Sequence, residues 1–361
     1  MNSIVTFLES NRQRFDLERY GVASPLSCVM LTPRFRASSH VVCLVLAAGR
    51  PDPVLVAKVP RLTGAIAAIE REVANLRAIE VARPDWLDSI PRVVAYEECY
   101  GRPVLVETAL VGHLMDPTTV RRDLAGCCAA VSAWLCDTER PHLGEIAGDA
   151  SWYERLVERP LRHFGDVFPL STDEMRLMER TWALMEPLRG TSLPVVVEHG
   201  DLSHPNIILR EHGGVGVVDW ELADVNGVPA CDLYFFLVYA AFALSKARAS
   251  GDYVSSFHTA FFGRTAWARA YVTAYAEALQ LSLHLLTPLF VLCWARYTLG
   301  LVRRLGGAGV MEHAVDGTTA AWLRTNRYYA LWRHAVDHVD ELTWSDGSQV
   351  KPRSISIGRW P

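Results

Sequence analysis

The chain has 361 residues, 50% of them hydrophobic and 21% charged, with 36 Lys/Arg against 40 Asp/Glu. This composition excludes a disordered protein and leaves enough apolar material for two lobes, each with its own core. A formal net charge of −4 without a Lys/Arg block removes the attraction that binding to a phosphate backbone requires, so nucleic acid is not expected as a partner.

The first twenty residues are charged throughout and lack the apolar middle and small-residue cleavage site of a secretory signal, which predicts a cytoplasmic protein. The eight cysteines lie mostly inside apolar runs, without zinc-like spacing, and are expected to be small buried hydrophobes in a reducing compartment. Short β-like runs follow at 28–31, 40–46, 54–59, 92–96 and 103–107, separated by turn material such as Ala-Gly-Arg-Pro-Asp-Pro at 48–53. They predict a small antiparallel sheet. One helix interrupts it over about 63–80, where Ile66, Ile69, Val73, Leu76 and Ile79 recur at helical spacing, and its apolar face is expected on that sheet.

After residue 112 the segments 117–136, 151–164, 172–189, 231–248, 257–280, 285–304 and 318–336 carry helical periodicity. The fold class predicted is therefore α+β, with an N-terminal sheet lobe over 1–108 and a mainly helical C-terminal lobe over 109–361. Two apolar stretches, 233–244 and 279–295, need a membrane check. The first is too short to span and the second is interrupted by His284, Thr287 and Pro288, so both predict buried helices and no membrane contact is expected. The polar tail 345–361 is expected to be loosely ordered.

The clear strand material of the second half is 195–198, 207–209 and 215–218, around the stretch His199-Gly200-Asp201-Leu202-Ser203-His204-Pro205-Asn206. A loop between short strands holds side chains firmly while leaving them open to a ligand. Asp201 and Asn206 are five positions apart, and Asp219 follows the next apolar strand. Oxygen donors of this kind suit Mg²⁺ rather than a soft metal, and magnesium suggests phosphate. Singly, each residue also reads as a turn, a local cap or a strand end; the signal lies in the ordered set.

Through His199 to Asn206, then Val217-Val218-Asp219-Trp220-Glu221, then Gly227-x-Pro229-x-x-Asp232-Leu233, the sequence resembles the aminoglycoside phosphotransferase and choline kinase family. The resemblance implies a two-lobed protein-kinase-like fold that uses ATP and Mg²⁺ to phosphorylate a hydroxyl of a small molecule. In that chemistry the phosphoryl group needs positioning and charge neutralisation more than covalent help. By resemblance Asp201 is the catalytic acid that accepts the hydroxyl proton or orients the hydroxyl, Asn206 and Asp219 hold the metal, and His199 braces the loop. His204 reads as a loop residue, and Glu221 either supports the metal ligands or stands idle.

The resemblance also demands a lysine on a first-lobe strand and a glutamate on the first-lobe helix. Lys58, the single charge in the run 54–59, answers the first. For the second, helical geometry decides: at about 100° per residue, Glu72 falls roughly 60° from the centre of the apolar stripe and Glu70 about 100° away. Glu72 is thus the expected partner of Lys58. The segment 104–112, with Glu107, resembles the last first-lobe strand and the hinge whose backbone would hold adenine. The phosphate-covering turn departs from the family pattern, because 31–40 contains no glycine. Arg36, Ser38 and Ser39 are expected to replace backbone contacts there with side-chain ones.

The acceptor implied is a hydroxylated small molecule, either an antibiotic or a sugar, amino alcohol or homoserine-like metabolite. Charge counts pull in two directions: residues 231–361 hold thirteen Lys/Arg and nine Asp/Glu, whereas 137–186 hold eleven acids and six arginines. A reading of another class, a nucleotide-binding regulator without turnover, is motivated by the glycine-free turn.

Overall fold

Five antiparallel strands pair in the order β1-β2-β3-β5-β4: β1 (Leu26–Leu31), β2 (His40–Ala47), β3 (Pro53–Pro60), β4 (Val93–Cys99) and β5 (Arg102–Thr108). The computed structural model describes residues 3–22, 25–31, 40–86, 88–139, 151–211, 213–306 and 315–344. Every predicted strand of this half is present. The turn 32–39, with Arg36, Ser38 and Ser39, lies outside the described residues, as does the tail from 345.

Period-two alternation gives β3 two different faces. Leu55 and Ala57 join a core with Val45 and Val106, while Lys58 points to the opposite side. A helix that periodicity does not reveal, α1 (Ser3–Ser10), adds Ile4 and Leu8 to that core. Two buried residues in eight make too short a stripe to read. On the other face lies α2 (Ile66–Ala82), which packs Ile69 and Val73 on Leu105 of β5, as its apolar stripe requires. Further along, Leu76 and Ile79 enter the main core with Trp86 and Ile90. One helix therefore touches both the sheet and the helical half.

The helical half runs through α3 (Pro117–Arg122), α4 (Leu124–Thr138), α5 (Ser151–Tyr153), a π turn at Glu154–Glu158, α6 (Arg159–Val167) and α7 (Thr172–Met185). After the strand region come α8 (Cys231–Ser245), α9 (Ala247–Ser250), α10 (Tyr253–Phe261), α11 (Arg269–Ala278), α12 (Leu286–Gly306), α13 (Gly317–Arg324) and α14 (Arg327–Asp337). Four predicted helices prove to be broken. Asp123 divides 117–136 by accepting a hydrogen bond from Gly126 N, and Asn326 divides 318–336 by accepting one from Tyr328 N. The segment 231–248 turns at Lys246 with φ 58°, and 257–280 opens between α10 and α11 across Gly263 with φ 71°.

Two small sheets, built mainly from the chain between α7 and α8, carry the polar motifs. Strands β6 (His113–Leu114), β8 (Ile207–Leu209) and β9 (Val215–Val217) pair in the order β6-β8-β9, and β7 (Val196–Glu198) pairs with β10 (Asp224–Gly227). The β10 strand has no alternating pattern, and only Asp224 and Gly227 are in register with β7. Both apolar stretches flagged for a membrane check are core material. Leu233–Val238 are fully buried in α8, and Leu289–Ala295 are buried in α12. No helix among the described residues is long and apolar enough to cross a membrane. Six of the cysteines, at 43, 99, 127, 128, 231 and 293, are buried.

Candidate active site

The chain leaves β7 through a turn that only glycine permits. Gly200 has φ +79°, and a Cβ there would stand 2.5 Å from Leu222 O. On either side of the Gly200 peptide a single carboxylate holds the backbone: His199 N donates to Asp232 Oδ2 at 2.5 Å and Gly200 N to Asp232 Oδ1 at 3.0 Å. Asp232 sits in the first turn of α8 and is buried, so burial and the neighbouring Glu198 push its pKa up while the two amides pull it down. Glu198 in turn accepts from Arg296 Nη1 at 2.8 Å and from Val228 N at 3.1 Å. Gly227 is required beside it, because a Cβ would lie 2.2 Å from that of Glu198.

His199 braces the loop. Its Nε2 donates to Val218 O at 3.0 Å and its Nδ1 accepts from Asp201 N at 3.2 Å, which assigns the tautomer. Burial lowers the imidazole pKa to about 4, so it stays neutral under these two bonds. It makes an edge-on contact with Trp220, ring centroids 4.7 Å apart.

Asp201 and Asn206 are brought together across a short turn, and both are only partly buried. Asn206 Nδ2 donates to Asp201 O at 2.9 Å and reaches Asp201 Oδ2 at 3.5 Å, while Val218 N donates to Asn206 O at 3.0 Å. With its Nδ2 so engaged, Asn206 offers Oδ1 as its oxygen for a cation. Asp219, directly after, adopts a left-handed backbone with φ 75°, a strained conformation for a residue with a side chain and one that clusters at functional sites.

Lys58 meets two carboxylates. Its Nζ lies 2.5 Å from Glu72 Oε1 and 3.2 Å from Glu107 Oε1; Lys58 is 7% exposed, Glu72 0% and Glu107 2%. Burial alone would lower the pKa of this amine, but the charges of Glu107, Glu72 and Asp219 outweigh it and raise the pKa. Glu72, and not the exposed Glu70, is therefore the partner that helical geometry selects. The same Glu72 Oε1 accepts from Trp220 N at 3.2 Å, and Asn75 Nδ2 donates to Trp220 O at 2.8 Å. Helix α2 thus grips both backbone polar groups of the residue that follows Asp219.

Sequence reasoning places Glu107 at the hinge for its backbone. The structure turns its side chain inward onto Lys58, where burial raises its pKa against the pull of the lysine. Asn75 was also missed, although it lies three residues from Glu72 and so on the same face of α2. An acid inside an apolar strand was the available signal for Glu198.

Asn206 and Asp219 carry oxygen donors of the kind that a hard divalent cation takes, and the carboxylates around Lys58 outnumber the single amine. Among the described residues no group of three or more His, Cys, Asp or Glu is arranged as a metal site. Glu72, Glu107 and Glu221 each keep a buried Oε2 with no hydrogen-bond partner among the described residues. Burial, with the charges of Asp219 and Glu72, pushes the Glu221 pKa up to about 7 from an ordinary 4.5. A group raised in this way favours the folded state below its unfolded pKa, and that contribution is lost as pH climbs to the folded value. Glu221→Gln should therefore match wild type in Tm near pH 4.5, gain an increasing advantage up to about pH 7 and hold it above. A pH series of thermal melts reads this directly, and a constant offset would refute it.

The sequence model of the family described as "Phosphotransferase enzyme family" matches residues 36–280, well over half of the chain. No curated protein sequence matches. Among solved structures, the choline kinase LicA from Streptococcus pneumoniae is 12% identical, with 92% of this chain and 98% of that one covered at a TM-score of 0.51. An ethanolamine kinase from Plasmodium vivax is 11% identical, with 86% and 83% covered at 0.55. A thermostable mutant of the aminoglycoside phosphotransferase APH(4)-Ia, in ternary complex with AMP-PNP and hygromycin B, is 14% identical, with 90% and 98% covered at 0.51. At these identities the likeness is one of fold. The family match and the shared fold together make this chain a member of the phosphotransferase enzyme family, with its two-lobed α+β protein-kinase-like architecture.

Proposed function

We propose that the protein is an ATP-dependent small-molecule kinase. The observation that carries this reading is the convergence of Asp219, with Asn206 and Asp201 beside it, on the Lys58–Glu72 pair from the sheet half. Family membership and the resemblance of the loop motifs support it. We place the boundary between the lobes at 108/109, where β5 ends and the hinge-like segment begins.

In the proposed reaction a hydroxyl oxygen of the acceptor attacks the γ-phosphorus. A new O–P bond forms as the bond from that phosphorus to the β-phosphate oxygen breaks, ADP leaves with the electron pair, and the hydroxyl proton passes to Asp201 and then to water. Lys58, pinned by Glu72, is positioned for the α/β-phosphates. Asn206 and Asp219 would hold Mg²⁺, which neutralises charge on the phosphates when bound. Arg36, Ser38 and Ser39 are assigned to the phosphates, and the backbone around Glu107 to adenine. The acceptor is a hydroxylated small molecule, with metabolite and antibiotic alike compatible with these roles.

Incubation of the purified protein with Mg²⁺-ATP and a panel of hydroxylated acceptors tests the reading by mass spectrometry. The expected result is ADP and an acceptor heavier by one phosphate. Thermal stabilisation by nucleotide without any ADP across the panel would favour the nucleotide-binding regulator instead. Asp201→Asn should lower turnover by about 10² to 10⁴ and leave nucleotide affinity nearly unchanged, as for removal of a general base; unimpaired turnover would take Asp201 out of that role. Asp219→Ala should abolish the Mg²⁺-dependent part of nucleotide binding, measured by titration with and without the metal.

A further inference from the structure

We propose that Arg327 binds a carboxylate or phosphate group of the acceptor, so that the molecule phosphorylated is an anionic alcohol and not a cationic one. The inference rests on the kinase reading above and narrows its substrate class.

Arg327 opens α14 directly after its cap, Asn326. Its guanidinium lies over three aromatic rings, those of Tyr328 at 4.9 Å, Tyr239 at 5.4 Å and Tyr253 at 5.7 Å. One nitrogen, Nη2, donates to Tyr239 Oη at 2.7 Å and to Tyr328 Oη at 3.2 Å, and those two hydroxyls lie 2.7 Å from each other. No carboxylate among the described residues forms an ion pair with it. Several arginines of the helical half are answered by acids, among them Arg180 by Asp337, Arg296 by Glu198 and Arg324 by Glu174, each at 2.8 Å, while Arg121 and Arg269 meet backbone carbonyls. Arg327 is half-buried, and a half-buried guanidinium held only by neutral phenols lacks the counter-charge that normally offsets its desolvation.

The cluster adjoins the catalytic loop. The Tyr239 ring is 6.0 Å from that of His204, three residues beyond Asp201, and the charge of Asp201 acts on both Tyr239 and Tyr297. The Tyr297 ring in turn lies 5.7 Å from Tyr328. His204 is kept neutral, its pKa lowered to about 4 mainly by burial, and among nearby charges Arg248 opposes Asp116 there. An aromatic cage of this kind would bind an ammonium group through its ring faces. Here the chain's own guanidinium occupies those faces, so a cationic acceptor would meet both a filled cage and a like charge. The remaining donors of Arg327 form a planar fork, the geometry that pairs with carboxylate or phosphate through two parallel hydrogen bonds.

The test is calorimetric titration of the full chain without nucleotide. The probes are glycerate, 3-hydroxybutyrate and 4-hydroxybutyrate, each beside its amide, glycerol 3-phosphate beside glycerol, and choline and ethanolamine. At least one anionic probe should bind tenfold or more tightly than its neutral counterpart. Which arm responds distinguishes a carboxylate from a phosphate. Arg327→Met should erase the difference while leaving ATP affinity intact, and Arg327→Lys, which keeps the charge, should retain part of it. If Arg327→Met does not fold, the wild-type matched pairs and Arg327→Lys decide. Absence of binding by every anionic probe, a preference that survives in Arg327→Met, or tighter binding of choline or ethanolamine would overturn the proposal. A protein that binds an anionic probe yet produces no ADP with ATP loses the kinase reading alone, whereas one that phosphorylates choline in preference loses only this inference.

Discussion

A single oxygen, Oε1 of Glu72, accepts hydrogen bonds from the Lys58 ammonium of β3 and from the Trp220 amide next to Asp219. Covalent adjacency does the rest: once Trp220 N is held, the backbone of Asp219 is kept near the Lys58 amine. Burying such a group is costly, several kcal/mol per ion after relaxation, and is sustained only where most of its bonding capacity is met. Glu72 meets that condition on one oxygen. Asn75 adds a second grip on the same residue, so α2 sets the placement of the turn as well as that of the lysine.

The loop from His199 to Asn206 follows the same logic from the opposite side. Asp232, rooted in the buried first turn of α8, holds two successive amides, and His199 closes a second ring through Val218 O and Asp201 N. Rigidity is supplied from behind, which leaves Asp201 and Asn206 only partly buried and open to chemistry. Charge is divided across the cleft in consequence. Around Lys58 stand Glu72, Glu107, Asp219 and, further out, Glu221, an anionic surplus suited to a metal ion. Beyond Asp201 the guanidinium of Arg327 meets phenol hydroxyls and, among the described residues, no carboxylate.

Much of this was legible in the sequence because the relevant signals are local. Angular position on α2 separates Glu72 from Glu70, and a single charge in an otherwise apolar strand picks out Lys58. What escaped depends on tertiary partners. Apolar periodicity runs on through Asp123, Lys246 and Asn326, so the interruptions at these positions are invisible to it. The β10 strand exists only because β7 lies beside it, and Glu107 is turned inward by a lysine two strands of sequence away. Arg327 gave no signal in the chain, since its isolation from acids is a property of the packed helices.

The most direct test of the central claim is a double-mutant cycle on Mg²⁺-ATP affinity with Lys58→Met and Glu72→Gln, each variant checked for folding by circular dichroism. If Glu72 acts on nucleotide by positioning Lys58, each single change weakens binding by about tenfold or more, roughly 1.4 kcal/mol, and the double variant is no worse than the weaker single. Losses that multiply in the double variant would show two independent contributions and contradict the shared-oxygen arrangement as the organising feature of the site.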